Sequence, residues 1–374
     1  MRDRTTLRIL LLAVVGTAFT VALLAHDLSE ADHISNVLLA GEEGPSVDAV
    51  TADIPDADLA PERGHDGQQF YAIARAPMHL DEASEHLDRP RYRLQRPLFS
   101  VLAWALHPSG GGTGLVVALL VVGVAGVLLS GVAAGALSHT LGGGTWPALL
   151  VPVLPGAFGA LRITAADTLA LGLLLAAVWA AEIRRSRLGV AAAVAAVLAK
   201  ESMALLLVAH AATRRTRESV LAALAGVASA GTWWVALRLL VDSDVAQVKE
   251  FTWPFGGMIV YVDEWLSGHN LIGAAMAIGS FLLAFVALWR RGPRHPLFGT
   301  LAAMTALASV FAASVVALDY NAIRTLGPLL VIAILTLGTP TPTPTPTPAP
   351  GHDGAADPGA RRVLVDPGPV RRVG

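Results

Sequence analysis

Apolar segments recur along most of this chain, and their length is the feature that most constrains its fold. A helix that crosses a bilayer needs about 20 mostly apolar residues. Only 15% of the residues are charged and the mean hydropathy is +0.57, whereas a soluble domain has about 25% charged residues. The apolar segments are residues 9–25, 97–107, 114–138, 146–161, 163–183, 188–199, 202–213, 219–241, 270–289, 296–318 and 324–338. They predict an all-α polytopic membrane protein with about ten or eleven transmembrane or re-entrant helices.

Composition also narrows the function classes. The formal net charge is -2 and no basic tract alternates with aromatic residues, which argues against nucleic-acid binding. The chain contains no cysteine, so disulfides, thiolate metal sites and a cysteine nucleophile are excluded. The histidines show no HExxH or other ligand spacing, and neither a Walker lysine nor a Gly-x-Ser-x-Gly elbow occurs. A nucleotide-driven pump is therefore not expected.

Arginine clusters set the expected sidedness, because short arginine-rich loops stay in the cytoplasm. Such clusters occur at the N-terminus and at residues 184–187, 214–217 and 290–295. For residues 9–25 a cleaved signal peptide is the alternative, but the small-residue cleavage site is absent. We expect a bacterial plasma-membrane protein with a cytoplasmic N-terminus (1–8), a first transmembrane helix (9–25), a large extracytoplasmic loop (26–95) and a multi-helix transmembrane domain (96–338).

Residues 188–213 are predicted to form a helical hairpin. Cytoplasmic arginines flank both ends, so the segment crosses an even number of times. Its 26 residues of helix span only about 39 Å. Two short helices are therefore predicted, with Lys200 and Glu201 at a tip on the outer side or partway down into the membrane.

Proline marks two further features. Pro147, Pro152 and Pro155 are expected to break segment 146–161 into a short re-entrant or broken helix. Beyond Pro340 the chain repeats Pro-Thr and then becomes rich in glycine and aspartate. This composition is typical of polyproline II or disordered segments, and it predicts a disordered cytoplasmic tail over residues 339–374.

The extracytoplasmic loop concentrates the acidic residues, with 15 of the 29 Asp and Glu in residues 26–95. In the stretch "GHDGQQFY", Asp66 lies in a predicted glycine-flanked turn. His65, Gln68 and Tyr71 are placed to orient this carboxylate or to bind hydroxyl groups. Such a carboxylate can serve as a general base, although a solvated loop acid is the alternative.

Basic residues follow directly in "DRPRYRLQRPLF", just before the next membrane segment. Guanidinium groups bind phosphate oxygens bidentately, so this stretch suits a lipid phosphate or pyrophosphate. Interfacial anchoring is the alternative, but arginines outside the membrane run against the positive-inside bias. The arginines are Arg89, Arg91, Arg93 and Arg96. On the same face we expect Asp167, Lys200, Glu201 and Arg324, for which mutual neutralisation and snorkelling are the alternatives.

The order of these features resembles that of the GT-C superfamily of polytopic glycosyltransferases, in particular its bacterial mannosyltransferase-like members. The likeness covers residues 5–338. The stretches that carry it are "DGQQFY", "RYRLQRPLFSVLAW", "TAADTLALGLLLAA", "LAKESMALLL" and "DYNAIRTLGPLL".

This resemblance implies a GT-C-like fold and an inverting hexosyltransferase at the extracytoplasmic face. Its expected partners are a polyprenyl-phosphate-linked sugar donor, a cell-envelope glycan or glycolipid acceptor, and the bilayer. Asp66 matches the loop acid that acts as the general base, with Asp53, Asp56, Asp58 and Glu62 as alternatives for that role. No cofactor is specified, and the acids are compatible with a divalent cation. The other residues that match the family pattern are Arg93, Arg96, Lys200, Glu201 and Arg324.

Two other functions fit the same features. Broken helices and intramembrane charges also suit a transporter or flippase of a lipid-linked substrate, although matching inverted halves are not found. A non-catalytic membrane component of envelope glycopolymer assembly is the third reading. A transferase requires that Asp66, one or more of the arginines of residues 89–96, and Lys200 converge on one external cavity that opens to lipid.

Overall fold

The computed structural model describes residues 2–242, 251–266, 271–316 and 319–341. The predicted tail therefore lies outside the described residues from position 342 onward. Helices dominate the described ranges, where only isolated β-bridges and no strands occur. In chain order the helices are α1 (Arg2–Asp27), α2 (Val47–Asp53), α3 (Asp66–Arg75), α4 (Leu80–Glu85), α5 (Pro90–Arg93), α6 (Pro97–Leu106), α7 (Gly112–Thr140), α8 (Pro147–Val153), α9 (Pro155–Arg162), α10 (Asp167–Glu182), α11 (Ser186–Ala199), α12 (Met203–Arg214), α13 (Arg217–Leu240), α14 (Gly256–Val260), α15 (Val262–Leu266), α16 (Leu271–Arg291), α17 (Phe298–Ser309), α18 (Ala313–Val316) and α19 (Asp319–Gly338).

Five of these described helices are long and apolar enough to cross a membrane: α1, α7, α13, α16 and α19. The chain is thus an all-α protein whose helices suit membrane insertion. The predicted segments at 97–107, 188–199 and 202–213 form the short helices α6, α11 and α12. At about 1.5 Å per residue, none of these three can span a 30 Å hydrocarbon core alone.

The apolar segment 296–318 does not form one continuous helix. Helix α17 ends at Ser309, and a separate short helix begins at Ala313. Between them Phe311 pairs with Phe251 in an antiparallel bridge, and their rings stack with centroids 6.4 Å apart. This pairing between backbone groups that are distant in sequence takes the place of the helical hydrogen bonds.

The predicted hairpin and broken helix are present. Helix α11 ends at Ala199 and α12 begins at Met203, which leaves Lys200 and Glu201 in the turn. Residue Leu154 separates α8 from α9 in an extended conformation. Pro155 explains the break, because its ring disfavours helical geometry at the preceding residue.

The segment 26–95 is a folded layer rather than an open aqueous loop. Four short helices, α2 to α5, and two 3-10 turns make up much of it. Its side chains Val37, Leu38 and Tyr71 are fully buried. Helix α3 packs against α6, where Phe70 and Phe99 meet edge to face with ring centroids 5.2 Å apart. The sequence did not indicate this packing, because the apolar residues of the segment are dispersed among acids.

Arg162 at the end of α9 connects the 26–95 layer to the bundle of apolar helices. Its Nε lies 2.5 Å from Asp27 Oδ2 at the end of α1, and its Nη2 donates to Asn36 Oδ1 at 2.7 Å. Nearby, Thr164 donates from Oγ1 to the carbonyl of Val37 at 2.8 Å. These contacts hold the layer against the start of α10.

Charged side chains lie at the two ends of α10. Asp167 is its first residue and Glu182 its last, and 16 residues of helix place these ends about 24 Å apart. Glu182 accepts two hydrogen bonds at 2.7 Å from Arg214, the last residue of α12. Asp167 pairs at the opposite end with Lys200, just before α12 begins. The bundle therefore has charged groups at both ends and apolar helix between them.

Helices α7 and α10 approach closely because small residues face each other. A methyl group at Gly126 would lie 2.6 Å from the backbone nitrogen of Leu169, and one at Gly172 would lie 2.8 Å from that of Ser130. Small residues allow such close backbone approach between helices in a membrane, where packing drives association.

We expect Gly126→Ala to lower the free energy of unfolding by about 1–3 kcal/mol, because the added methyl group overpacks the α7–α10 contact. Gly279 in α16 is the matched control, since a methyl group there meets nothing within 4 Å. Gly279→Ala should leave stability unchanged or raise it by about 0.5–1 kcal/mol. Thermal unfolding in detergent measures both, and equal effects of the two substitutions would contradict this packing.

Candidate functional site

A cavity of about 1500 Å³ lies where the 26–95 layer meets the helix bundle. Its lining comes from the start of α3, from α5, from the turn between α11 and α12, from the end of α13, and from the region between α17 and the start of α19. Among the described side chains that line it, eight are Arg or Lys and four are Asp or Glu. The cavity is therefore suited to an anionic ligand.

Asp66 lies in the wall of this cavity as the first residue of α3, not in a turn as predicted. A carboxylate is favourable at this position because it complements the positive end of the helix dipole. The next residue must be small: a methyl group at Gly67 would lie 2.6 Å from the carbonyl oxygen of Leu38 and 2.7 Å from that of Ile163. This close approach fixes the start of α3 against the backbone of Leu38 and Ile163.

Both carboxylate oxygens of Asp66 accept hydrogen bonds from arginines that are distant in sequence. Arg93 donates from Nη1 to Oδ1 at 2.6 Å, and Arg324 donates from Nη2 to Oδ2 at 2.6 Å. Burial by itself would raise the pKa of the Asp66 carboxyl, but Arg324 and Arg93 outweigh it and hold that pKa well below its usual range. Asp66 is thus a stable, oriented anion.

The charges continue on the bundle side of Asp66. Arg324 donates from Nη1 to Asp167 Oδ2 at 3.0 Å, and it also contacts Asn321 Oδ1. The other oxygen of Asp167 accepts a hydrogen bond from Lys200 Nζ. The predicted residues Asp167, Lys200 and Arg324 therefore form one connected group with Asp66, although α10, the hairpin turn and α19 supply them separately.

The arginines of α5 and its flank form bidentate pairs. Arg93 donates from Nε and Nη2 to the two oxygens of Asp88, both at 2.8 Å. Arg96 donates from Nε and Nη2 to Glu201 at 2.7 and 2.8 Å. The ring of Tyr92 lies beneath Arg96, with its centroid 4.8 Å from Cζ. Glu201, which the sequence placed beside Lys200 as a neutralising partner, pairs with Arg96 instead.

Three more of the predicted residues line the same cavity: His65, Arg89 and Arg91. Burial and the neighbouring Arg324 lower the pKa of His65, so its ring is neutral at pH 7. A neutral imidazole offers one hydrogen-bond donor and one acceptor to a ligand.

Gln68 and Tyr71 lie outside the cavity lining. Gln68 is buried and donates from Nε2 to the carbonyl of Arg63 at 2.6 Å. Tyr71 donates from its hydroxyl to Asp53 Oδ2 at 2.9 Å and accepts from the backbone N–H of Gly112 at 2.7 Å. Their contacts hold the layer together. On the same helix Gln69, which the sequence did not single out, does line the cavity.

The alternative loop acids lie away from the cavity. Asp53 pairs with Arg75 at 3.0 Å, and Asp58 accepts from Asn36 Nδ2 at 2.8 Å. Asp56 and Glu62 are exposed to solvent. Asp66 is the one loop acid of these five that lines the cavity.

The acids of the cavity do not fit a divalent cation. In the described ranges, no three His, Asp or Glu side chains come together as metal ligands. Asp66, Asp88 and Glu201 each have their oxygens directed at guanidinium groups instead.

Two arginines of the lining were missed by sequence reasoning, Arg63 and Arg238. Arg238 interrupts the apolar run "VALRLLV" near the predicted outer end of a span, which is a signal that could have drawn attention to it. Comparisons of this chain with protein-family models, with curated proteins and with solved structures find no match.

We expect Asp167→Asn to lower the free energy of unfolding by about 3–5 kcal/mol, because it leaves Lys200 without its anionic partner in a buried position. Asp167 is 6% exposed. Glu82 is the control, since it is half exposed and lies 3.5 Å from Arg75. Glu82→Gln should cost below about 1 kcal/mol. Thermal unfolding of both variants tests this, and a small effect of Asp167→Asn would show that the buried ion pair is not stabilising.

The pH dependence of the Asp66 contribution follows from the direction of its pKa shift. A lowered folded-state pKa means that the stabilisation is complete above the unfolded-state pKa of about 4 and is lost as the pH falls through the folded value. The difference in unfolding temperature between the wild type and Asp66→Asn should therefore be constant from about pH 8 to pH 5 and shrink only below about pH 4. Glu42→Gln, which changes an exposed acid of the same layer, should follow the wild-type profile throughout. A difference that already shrinks between pH 7 and pH 5 would contradict the expected shift.

Proposed function

We propose that this protein is a GT-C-type glycosyltransferase in a bacterial plasma membrane. It moves a hexose from a polyprenyl-phosphate donor to a hydroxyl group of a cell-envelope glycan or glycolipid at the extracytoplasmic face. The observation that carries the proposal is the convergence of Asp66, Arg93, Lys200 and Arg324, which lie far apart in the sequence, on one cavity.

The lining supports a lipid-linked donor because it combines two chemically different groups of side chains. The arginines and Lys200 suit phosphate oxygens. Leu205, Leu307, Phe311 and Val315 add apolar surface. Small-ligand pockets typically measure about 300–1,000 Å³, so a volume of about 1500 Å³ has room for a sugar, a phosphate and the first part of an isoprenoid chain.

The proposed reaction is a single displacement. The acceptor oxygen forms a bond to the anomeric carbon as the bond from that carbon to the phosphate oxygen breaks, and the configuration inverts. The electron pair of the broken bond stays on the phosphate, where the cationic wall stabilises the added charge. The acceptor proton passes to Asp66.

The low pKa of Asp66 has a consequence for this step. A weak base accepts a proton only when the donor has become acidic. The acceptor hydroxyl acquires that acidity as its bond to the anomeric carbon forms. Proton transfer is therefore late in the displacement, and the orientation of the carboxylate by Arg93 and Arg324 matters more than its basicity.

Replacing Asp66 by Asn tests the role of the base. Asp66→Asn should lower the rate of sugar transfer by about 10²–10⁴-fold, the range of general base catalysis. The measurement is transfer from a polyprenyl-phosphate sugar by purified protein, together with the amount of protein in the membrane.

Asp56→Asn provides the matched control, since Asp56 is an exposed acid of the same layer, and it should leave turnover at the wild-type level. Wild-type turnover in Asp66→Asn would place the base elsewhere. Movement of the lipid-linked substrate across the bilayer without any transfer would replace the proposal with a flippase.

A further inference from the structure

Arg93 contacts two carboxylates, one on each side of its guanidinium group. Nε and Nη2 donate to the two oxygens of Asp88, both at 2.8 Å, and Nη1 donates to Asp66 Oδ1 at 2.6 Å. A guanidinium group is planar and rigid, so a bidentate partner on one side fixes the direction of the donors on the other. Asp88 therefore sets the direction from which Nη1 approaches Asp66.

Buried apolar residues hold the backbone on both sides of the Asp88–Arg93 pair. Leu87 directly precedes Asp88, and Leu94 directly follows Arg93. Both leucines are buried in one apolar cluster that also includes Ile73 of α3. The two ends of the segment that carries the ion pair are therefore packed against the helix that carries Asp66.

A hydrogen bond adds to this attachment. The backbone N–H of Asp88 donates to Gln69 Oε1 at 3.4 Å, and Gln69 lies three residues after Asp66 on α3, close to one helical turn. Arg89 also lies near Asp88, with its Nε 3.8 Å from Oδ2. That contact is longer than the two at 2.8 Å that Arg93 makes, so Arg93 is the guanidinium group that Asp88 orients.

The charge of Asp88 matters as well as its position. Burial raises the pKa of the Asp88 carboxyl, but the hydrogen bonds and the charge of Arg93 outweigh it and lower that pKa from its usual value. Asp88 is therefore an anion at pH 7 and neutralises part of the charge of Arg93. Without Asp88 the full charge of Arg93 would act on Asp66 and make that carboxylate a still weaker base.

The second arginine at Asp66 is held independently of Asp88. Arg324 donates to Asp66 Oδ2, while Asp167 and Asn321 accept its other hydrogen bonds on the bundle side. A change at Asp88 should therefore leave the Arg324 contact in place and alter only one of the two contacts that orient the Asp66 carboxylate.

We propose that Asp88 is a positioning residue for the sugar-transfer reaction: through Arg93 it sets how the Asp66 carboxylate faces the acceptor hydroxyl. Asp88 lines the cavity, but its two oxygens accept from Arg93, and it acts on that guanidinium group and not on the substrate. The proposal rests on the proposed function, because Asp66 is the base of that reaction. It extends the catalytic arrangement to a residue that the sequence patterns did not indicate.

Steady-state kinetics of sugar transfer by purified protein separate this role from substrate binding. Asp88→Asn keeps the size of the side chain but directs an amide donor at one guanidinium N–H, so the bidentate pair is lost. We expect kcat to fall by about 10–10²-fold, the cost of misplacing a catalytic group. KM for the polyprenyl-phosphate sugar should stay within about twofold of the wild type, because the contact acts in the transition state. Asp88→Glu keeps a carboxylate and should recover part of kcat.

A double-mutant cycle distinguishes positioning from a merely structural role. Once Asp66→Asn has removed the base, Asp88→Asn has no carboxylate left to orient and should lower the residual rate no further. An equal fold-loss in both backgrounds would overturn the proposal, as would wild-type kcat in Asp88→Asn. A raised KM with unchanged kcat would also overturn it, since Asp88 would then bind substrate.

Asp81→Asn is the matched control, because it removes an exposed acid of α4 in the same layer. It should keep the wild-type kcat and KM. The Asp88 side chain is 35% exposed, so Asp88→Asn should still fold, and the amount of each variant in the membrane is measured together with the rates.

Thermal unfolding of the same variants in detergent tests the link through Arg93 without any sugar. Each single substitution, Asp66→Asn or Asp88→Asn, leaves Arg93 one of these two carboxylates, and the double substitution leaves it neither. The drop in unfolding temperature of the double variant should therefore exceed the sum of the two single drops. Additive drops would overturn the link whether or not the wild type transfers sugar.

The two proposals fail separately. Sugar transfer by the wild type with an unchanged kcat in Asp88→Asn would remove the positioning role and leave the glycosyltransferase standing. A more than additive drop in unfolding temperature, with no transfer by the wild type, would keep the link between Asp88 and Asp66 and remove the glycosyltransferase.

Discussion

Ionised groups inside an apolar helix bundle are stable only where opposite charges neutralise them, and the rest of this structure is arranged around that constraint. Taking a carboxylate out of water costs several kcal/mol unless a partner with good geometry replaces the solvent. Here the charges alternate along one connected line, each within ion-pair distance of the next. In spatial order its members are Asp88, Arg93, Asp66, Arg324, Asp167 and Lys200.

This line of charges joins elements that the chain supplies at intervals of up to 258 residues. It connects the 26–95 layer to α10, to the hairpin turn and to α19, and the cavity lies beside it. The same pairing has a chemical cost, because it holds Asp66 as a stable anion and so makes it a weak base. The proposed sugar transfer therefore depends on precise orientation of the carboxylate and on the charge that develops in the transition state.

Sequence patterns predicted the parts of the fold that local chemistry controls. Proline at 155 broke a helix. Arginines on both sides of residues 188–213 indicated the hairpin, because they place both ends of the segment on one side of the membrane and the segment is too short to cross it fully twice. Patterns failed where distant segments meet. The bridge between Phe251 and Phe311 ends α17 early, and Gln69 rather than Gln68 faces the cavity. Neither outcome can be recognised from the neighbouring residues in the sequence, because each depends on where a segment that is distant in the sequence packs.

The sequence by itself determined that the chain is helical and apolar, because the hydrocarbon thickness of a bilayer sets the length of an apolar helix that can cross it. It also determined that the ionisable groups gather in a few places, because a charge buried in an apolar environment is costly. It also named Asp66, Lys200 and Arg324 as candidates. Tertiary structure decided the partners: Glu201 binds Arg96 rather than its neighbour Lys200, and Arg238 joins the site. Ion pairing falls off over a few ångströms, so the partner of each charge is set by the folded positions of helices and not by spacing along the chain.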